Sequence, residues 1–356
     1  MLVTIGADCH MKSHTLVAVD PVGRNLGQIT VGTNTDGHLR LLTWAEQFDE
    51  VIFALEDCRH VTRRLERDLL RAGQKVLRVP TKLMGEARRI ARQPGKSDPI
   101  DAEAVAIAAL RHPDLPTAQL DGPARDIKLL SDHRRDLVMQ RTRACCQVRW
   151  FLHELDPDLD VPARGLRHHN HLERVRTVLE SMEGTVARLA RDLAQRIGEL
   201  NLQIAQLDKE LATVVKQHAP ALLEIPGCGV LSAALIVGET AGVERFRNKD
   251  AFARFTGTAP VPVWSGSSAG KVRLNRGGNR QMNWALHMIA VTQARGIGPG
   301  KDYLTRQQAR GKDRVAGLRL LRRRLSDTVF AALRTDAAIT PAPPQHIRDH
   351  DLPTAA

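Results

Sequence analysis

Apolar and polar positions follow two different rhythms along the chain. Up to about residue 111, short apolar runs are separated by amphipathic stretches. Leu2 to Asp8 and Thr15 to Asp20 are β-rich runs joined by a polar turn, which predicts a hairpin, and Gly27 to Gly32 supplies a third strand. A helix over about Asp36 to Gln47 leads into Val51-Ile52-Phe53-Ala54-Leu55, a continuous apolar run of the kind found in a strand covered on both faces. A helix through Leu65 to Arg71 stops at Gly73, the short strand Lys75 to Val79 follows, and another helix is entered near Ser97. This order predicts an α/β domain with a mixed sheet over residues 1–123.

From 124 to 220 the sequence becomes long, charged and poor in strand signals. Ile197, Leu200, Ile204, Leu207, Leu211 and Val214 recur at alternating spacings of three and four, an a/d seam of a coiled coil. The seam could pair with the earlier stretch Ile127 to Leu155 folded back as a hairpin, or with the same helix of another subunit. The spacing does not choose between an oligomerisation arm and an ordinary buried helix pair. Residues 221–334 are expected to form a third, mainly helical domain. The Pro- and Ala-rich stretch 335–356 has no periodicity and is expected to be a disordered tail. The expected fold class is therefore α/β plus α.

Charge sharpens the picture. The 356 residues carry a net charge of +12 and a pI of about 10.0, which favours a polyanionic partner. The excess sits in one block, because Ser265 to Arg334 holds 15 Lys or Arg against 3 Asp. No apolar run approaches the roughly 18 to 20 residues of a membrane span, and the N-terminus MLVTIGADCH lacks a signal-peptide pattern, so a soluble cytoplasmic chain with no membrane partner is expected. The 5 cysteines include no C-x-x-C pair and are read as reduced thiols. At 3% aromatic residues and a single Tyr, base stacking on a Phe/Tyr platform is not expected.

Four acidic residues stand out by position. Asp8 ends the first strand, Glu56 ends the buried strand, and Asp98 and Asp101 open a helix three residues apart, on one face. Pro99 favours the helix start, with Asp98 as N-cap. Hard divalent cations need several such oxygen ligands, whereas any one of these acids alone is as well explained by capping or the helix dipole.

Taken in order, Gly6-Ala7-Asp8, Ala54-Leu55-Glu56 and Lys96-Ser97-Asp98-Pro99-Ile100-Asp101-Ala102 resemble the DEDD signature of bacterial insertion-sequence transposases related to the Piv DNA invertases. The resemblance implies a RuvC-like, RNase H type first domain. It also implies that Asp8, Glu56, Asp98 and Asp101 bind catalytic Mg2+ or Mn2+.

The third region extends the resemblance. Leu223-Glu224-Ile225-Pro226-Gly227-Cys228-Gly229 before an apolar helix is similar to a helix-hairpin-helix turn, where Gly227 and Gly229 would let a phosphate approach backbone NH groups; a plain glycine turn is the alternative. Phe255-Thr256-Gly257-Thr258-Ala259-Pro260, Trp264-Ser265-Gly266 and Arg276-Gly277-Gly278-Asn279-Arg280 look like the family's C-terminal transposase domain. By that likeness Ser265 is the nucleophile, with Ser267 and Ser268 as neighbouring candidates, and Lys271, Arg273, Arg276 and Arg280 are cations able to meet phosphate charge. The resemblance further implies a homo-oligomer, dimer or tetramer, that cuts and rejoins DNA under the direction of a bridge RNA. Two alternatives stay open: a hydrolytic junction-resolving nuclease using the acids alone, and an inactive nucleic-acid-binding relative.

Overall fold

The computed structural model describes residues 1–339, apart from residues 58, 91–94, 96, 113–114, 116, 119, 121, 269–271 and 275–277 and the side chains at 59, 90, 268 and 272–274. The sequence expectations for Lys271 and Arg276, for the Arg273 side chain and for most of the 335–356 tail fall outside that set. The chain divides into two compact units between Asp121 and Gly122. Among the described residues no helix is long and apolar enough to cross a membrane.

The first unit is built from β1 (Leu2–Cys9), β2 (Ser13–Val19), β3 (Asn25–Gly32), α1 (Thr35–Ala45), β4 (Glu50–Glu56), α2 (Arg59–Arg71), β5 (Lys75–Val79), α3 (Thr81–Ile90) and α4 (Asp98–Arg111). The sheet order is β3-β2-β1-β4-β5. β2 runs antiparallel to both neighbours, while β1, β4 and β5 are parallel, the mixed sheet with helices that the sequence predicts. Alternation along β1 explains its two covered faces. Val3, Ile5 and Ala7 pack with Leu41 of α1 and Leu65 and Leu69 of α2. On the other face Ala54 and Val79 pack with Ala104, Val105 and Ala108 of α4. The helix α3 was not expected from the sequence.

One start signal is corrected. The first helical bond of α4 runs from the Asp101 N–H to the Ser97 carbonyl at 3.0 Å, so Ser97 is the N-cap and Asp98 is the first helical residue. Ser97 takes the extended backbone that a cap requires, and Pro99 fits in the first turn.

The second unit holds α5 (Pro123–Leu155), α6 (His169–Glu180), α7 (Thr185–His218), α8 (Pro220–Leu223), α9 (Val230–Thr240), α10 (Lys249–Phe255), β6 (Pro260–Pro262), β7 (Val272–Leu274), α11 (Arg280–Ala294), α12 (Gly300–Ala309) and α13 (Arg314–Ile339). The long helices α5 and α7 lie along each other within one chain, the folded-back arrangement of the two the seam allowed. Ile197 packs on Ala144, Val148 and Leu152, then Leu200 and Ile204 pack on Leu137, then Leu211 joins Ile127. The last helix overrides the expected tail: α13 continues to Ile339 because Asp336, buried, accepts the Ala221 N–H at 2.8 Å and Leu333 sits in the core.

Beneath the sheet, on the α1 side, His14 stacks on His38 at 5.5 Å, and His38 Nδ1 lies 2.7 Å from the Asp68 carboxylate. Burial, then His38 and His10, push the His14 imidazole down to about 4. The folded unit therefore binds fewer protons than the unfolded chain between about 4 and the ordinary value of 6.5, so stability falls as pH drops through that window. Hydrogen exchange of the β1 and β2 amides, corrected for intrinsic rate, should lose about 2 kcal/mol of protection between pH 7 and pH 5, and His14→Gln should flatten the loss. An unchanged slope in the variant would contradict this.

Candidate functional site

The acids gather where β1 and β4 end. Ala7 pairs in register with Leu55, so Asp8 and Glu56 follow side by side in sequence order at the carboxyl ends of adjacent parallel strands, where α/β sheets place ligands. Asp8 points to the face that carries α4. That helix lies unusually close to β1: a Cβ built on Gly6 would stand 2.2 Å from the Ala102 carbonyl oxygen and 2.4 Å from the Ala106 nitrogen. Small side chains on α4, including Ala102 and Ala106, complete the fit. The missing side chain of Gly6 thus lets the start of α4 bring Asp98 and Asp101 to Asp8.

The electrostatics report the same crowding. Burial raises the Asp8 carboxyl above its ordinary value; the hydrogen bond and charge of His10 oppose that rise, while Asp101 and Asp98 add to it. His10 Nε2 stands 3.0 Å from Asp8 Oδ2 and 3.6 Å from Asp98 Oδ1. Ligand atoms of Asp8, His10 and Asp98 lie within 4.8 Å of one another. Asp101 is largely covered, and its buried Oδ1 faces Arg88 Nη1 at 3.1 Å without a hydrogen bond. Glu56 is half-buried at the end of β4, without a described contact to the other acids.

This donor set fits a divalent cation. A carboxyl such as Asp8, whose proton affinity is raised by burial and then by two neighbouring carboxyls, gains from a positive ion beside it, and oxygen donors suit Mg2+. The imidazole is the residue that sequence reasoning passed over. Its signal was its place two residues past Asp8, where the turn between β1 and β2 folds a side chain back toward the strand end. A nitrogen among oxygens extends the match to Mn2+.

In the second unit the glycine turn and the serine loop are separate features. Gly227 has φ +83, and a Cβ there would press at 3.1 Å on Thr292 of α11, so this glycine permits close packing of the turn on that helix. Gly229 is the exposed N-cap of α9, with open space around it. The hairpin of β6 and β7 pairs Val261 with Arg273, and its loop carries Ser265, exposed, ahead of a 3-10 turn at Gly266–Ser268. Arg280 opens α11 and is exposed.

The surrounding motifs frame that hairpin. A Cβ on Gly278 would stand 2.2 Å from Gly257 Cα, so the two backbones meet face to face. Asn283 Nδ2 donates to the Thr256 and Gly257 carbonyls at 3.2 and 3.3 Å. Asn279 caps α11 through its side-chain oxygen, and its Nδ2 donates to Glu239 at 2.6 Å. Glu239 also pairs with Lys128 at 2.6 Å. The hairpin is thereby tied to α5, α9 and α11.

Two family models match the chain. One, described as "Transposase", covers residues 5–157, and a second, described as "Transposase IS116/IS110/IS902 family", covers 219–304. Between them they span about two thirds of the sequence. The chain belongs to the IS110/IS116 transposase family. The transposase is 26% identical to the insertion element IS116 uncharacterized 44.8 kDa protein of Streptomyces clavuligerus, over 96% of this chain and 97% of that protein. It is 25% identical to the insertion element IS900 uncharacterized 42 kDa protein of Mycobacterium paratuberculosis, over 96% and 98% of the two chains. It is 28% identical to the transposase for insertion sequence element IS1328 of Yersinia enterocolitica, over 55% and 58%. Among solved structures it aligns with T. thermophilus RuvC in complex with a Holliday junction substrate, at 16% identity and a TM-score of 0.26, over 32% of this chain and 95% of that one.

The close approach at Gly6 makes a direct test possible. Gly6→Ala should destabilise the first unit by about 1–3 kcal/mol, since α4 must move off β1, and should weaken Mn2+ binding measured by calorimetry. Gly85→Ala, at a helix position with nothing within 4 Å, should do neither. Equal Mn2+ affinity in folded Gly6→Ala would show that the spacing of α4 does not build the site.

Proposed function

We propose that the transposase cuts and rejoins DNA strands with a metal-dependent acidic site and a serine nucleophile. The observation that carries this reading is the convergence of Asp8, Asp98 and Asp101, three of the four signature acids, with Glu56 at the adjoining strand end. Asp8, Glu56, Asp98 and Asp101 would hold Mg2+ or Mn2+, and the ion would supply charge stabilisation for phosphodiester chemistry when bound. Asp98 and Asp101, one turn apart on a rigid helix, orient their carboxylates together, and the Gly6 contact holds that helix against β1.

Ser265 is the proposed nucleophile. Its Oγ would form a bond to phosphorus as the bond from phosphorus to the leaving strand oxygen breaks; the serine proton passes to a base and the leaving oxygen is protonated. A phosphoserine ester conserves the phosphodiester, so a strand hydroxyl can reverse the step and release Ser265 without ATP. The exposed position of Ser265 in a glycine-containing loop supports access by a bulky duplex. Gly229 and Arg280 contribute to binding the nucleic acid, along with Gly227, Lys271, Arg273 and Arg276 in the same motifs. A bridge RNA supplies target choice, and the protein acts as a dimer or tetramer on DNA in the cytoplasm at the nucleoid.

Two experiments check the two halves. Asp98→Asn and Asp101→Asn should lower strand exchange in Mg2+ by about 10²-fold or more while leaving the melting temperature close to that of the parent, because the helix start survives. Near-normal exchange by both would remove the metal-site reading. A reaction stopped after first-strand cleavage should yield protein joined to a DNA end through a serine ester, lost in Ser265→Ala and kept in Ser267→Ala and Ser268→Ala. Retention in Ser265→Ala with loss in a neighbour would move the nucleophile, and free hydroxyl and phosphate ends in every background would favour hydrolysis by the acids alone.

A further inference from the structure

One face of α11 is committed to the core, where Met282, Ala285, Leu286, Ile289 and Ala290 are buried. The other face presents Arg280, Asn283, Trp284 and His287, at the i, i+3, i+4, i+7 spacing of a single stripe. Opposite it, Val315, Leu318 and Arg322 make the matching stripe on α13, and the two enclose a cleft of about 330 Å3. That volume lies at the lower end of the range for small-ligand sites, roughly 300–1,000 Å3.

The chemistry of the walls is selective. In a chain with only 3% aromatic residues, Trp284 stands 53% exposed at this cleft instead of completing the core. Its indole and the half-exposed Val315 offer a flat apolar surface. Among the described residues, every charged or titratable residue lining it is basic: Arg280, His287 and Arg322. Arg322 is held in place, with Nη1 donating to Asn283 Oδ1 at 2.8 Å, while its buried Nε has no hydrogen-bond partner. The neighbouring Arg323 is neutralised by Asp250 and Asp327, whereas the walls of the cleft hold no acidic residue among those described.

We propose that this cleft takes one unpaired nucleotide of a nucleic-acid strand, with the base stacked on Trp284 and the phosphate at Arg280 and Arg322. The proposal rests on reading the chain as a transposase acting on nucleic acid. A stacking face beside guanidinium groups is the arrangement by which single strands are bound without regard to base identity. A paired base has both faces covered by its neighbours, so the cleft discriminates a single strand from a duplex.

The test uses the full chain and fluorescently labelled 20-nucleotide oligothymidylate, oligouridylate and a 20-base-pair duplex, with affinity read by anisotropy. Trp284→Ala should weaken single-strand binding about 5- to 150-fold, Trp284→Phe should retain most of it, and duplex affinity should hold. Arg280→Ala should lower the salt slope for single strands by about 0.7. Loss on oligothymidylate alone assigns the site to DNA, loss on oligouridylate alone assigns it to RNA, and loss on both assigns it to either strand. Undiminished single-strand affinity in Trp284→Ala overturns the cleft, as does an equal loss on the duplex. Should Trp284→Ala fail to fold, a protein with Trp44, Trp150 and Trp264 changed to Phe gives the answer, since oligonucleotide must quench the remaining indole and an unquenched signal refutes stacking. A wild-type protein that binds none of the three probes would instead overturn the proposed action on nucleic acid on which the cleft reading rests.

Discussion

The contact between Gly6 and the backbone of α4 is the constraint on which the acidic site depends. Strand and helix meet at a separation that no side chain at position 6 could occupy. Asp98 and Asp101 sit in the first turn of that helix and Asp8 two residues beyond Gly6, so the same contact that packs the sheet sets the spacing of the carboxyls. Burial first, and then the charges of Asp101 and Asp98, raise the proton affinity of Asp8. His10 offsets part of that cost by placing a nitrogen between two of the acids. Such a site stores unfavourable charge that a divalent ion would relieve, in keeping with the rule that perturbed carboxyls mark functional sites.

The second unit uses the same device for another end. Gly257 and Gly278 meet backbone to backbone, and Asn279, Asn283 and Glu239 hydrogen-bond across the junction, so the hairpin that carries Ser265 rises from a rigid base. Exposure at the loop and hydrogen bonding beneath it are consistent with the nucleophilic role proposed for Ser265.

Much of this was legible in the chain itself. The apolar run at 51–55, the β-rich runs of the first hairpin and the acids at strand ends and a helix start depend on local pattern and were read from it, whereas the reading of those acids as a signature came from the family resemblance. The heptad seam likewise identified the buried face of α7, while the choice of α5 as its partner depends on the connection 156–184, which carries α6, and could not be read from spacing. His10 was missed because its role arises from the folding back of a turn, and Trp284 because an average composition says nothing of where one indole stands. Asp98 exchanged its expected cap for Ser97 once Pro99 settled inside the first turn. The end of α13 outlasted its helical pattern because Asp336 gained a backbone partner from a distant helix.

The central claim is that α4 and β1 together form a cation site at the carboxyl end of the sheet. It is tested most directly by locating the ion: crystals of the protein grown with Mn2+ and measured at the manganese absorption edge. The account predicts an anomalous peak within about 2–2.5 Å of carboxylate oxygens of Asp8 and of Asp98 or Asp101. A structure in which the acids are ordered as described and manganese binds elsewhere, or nowhere, would contradict it.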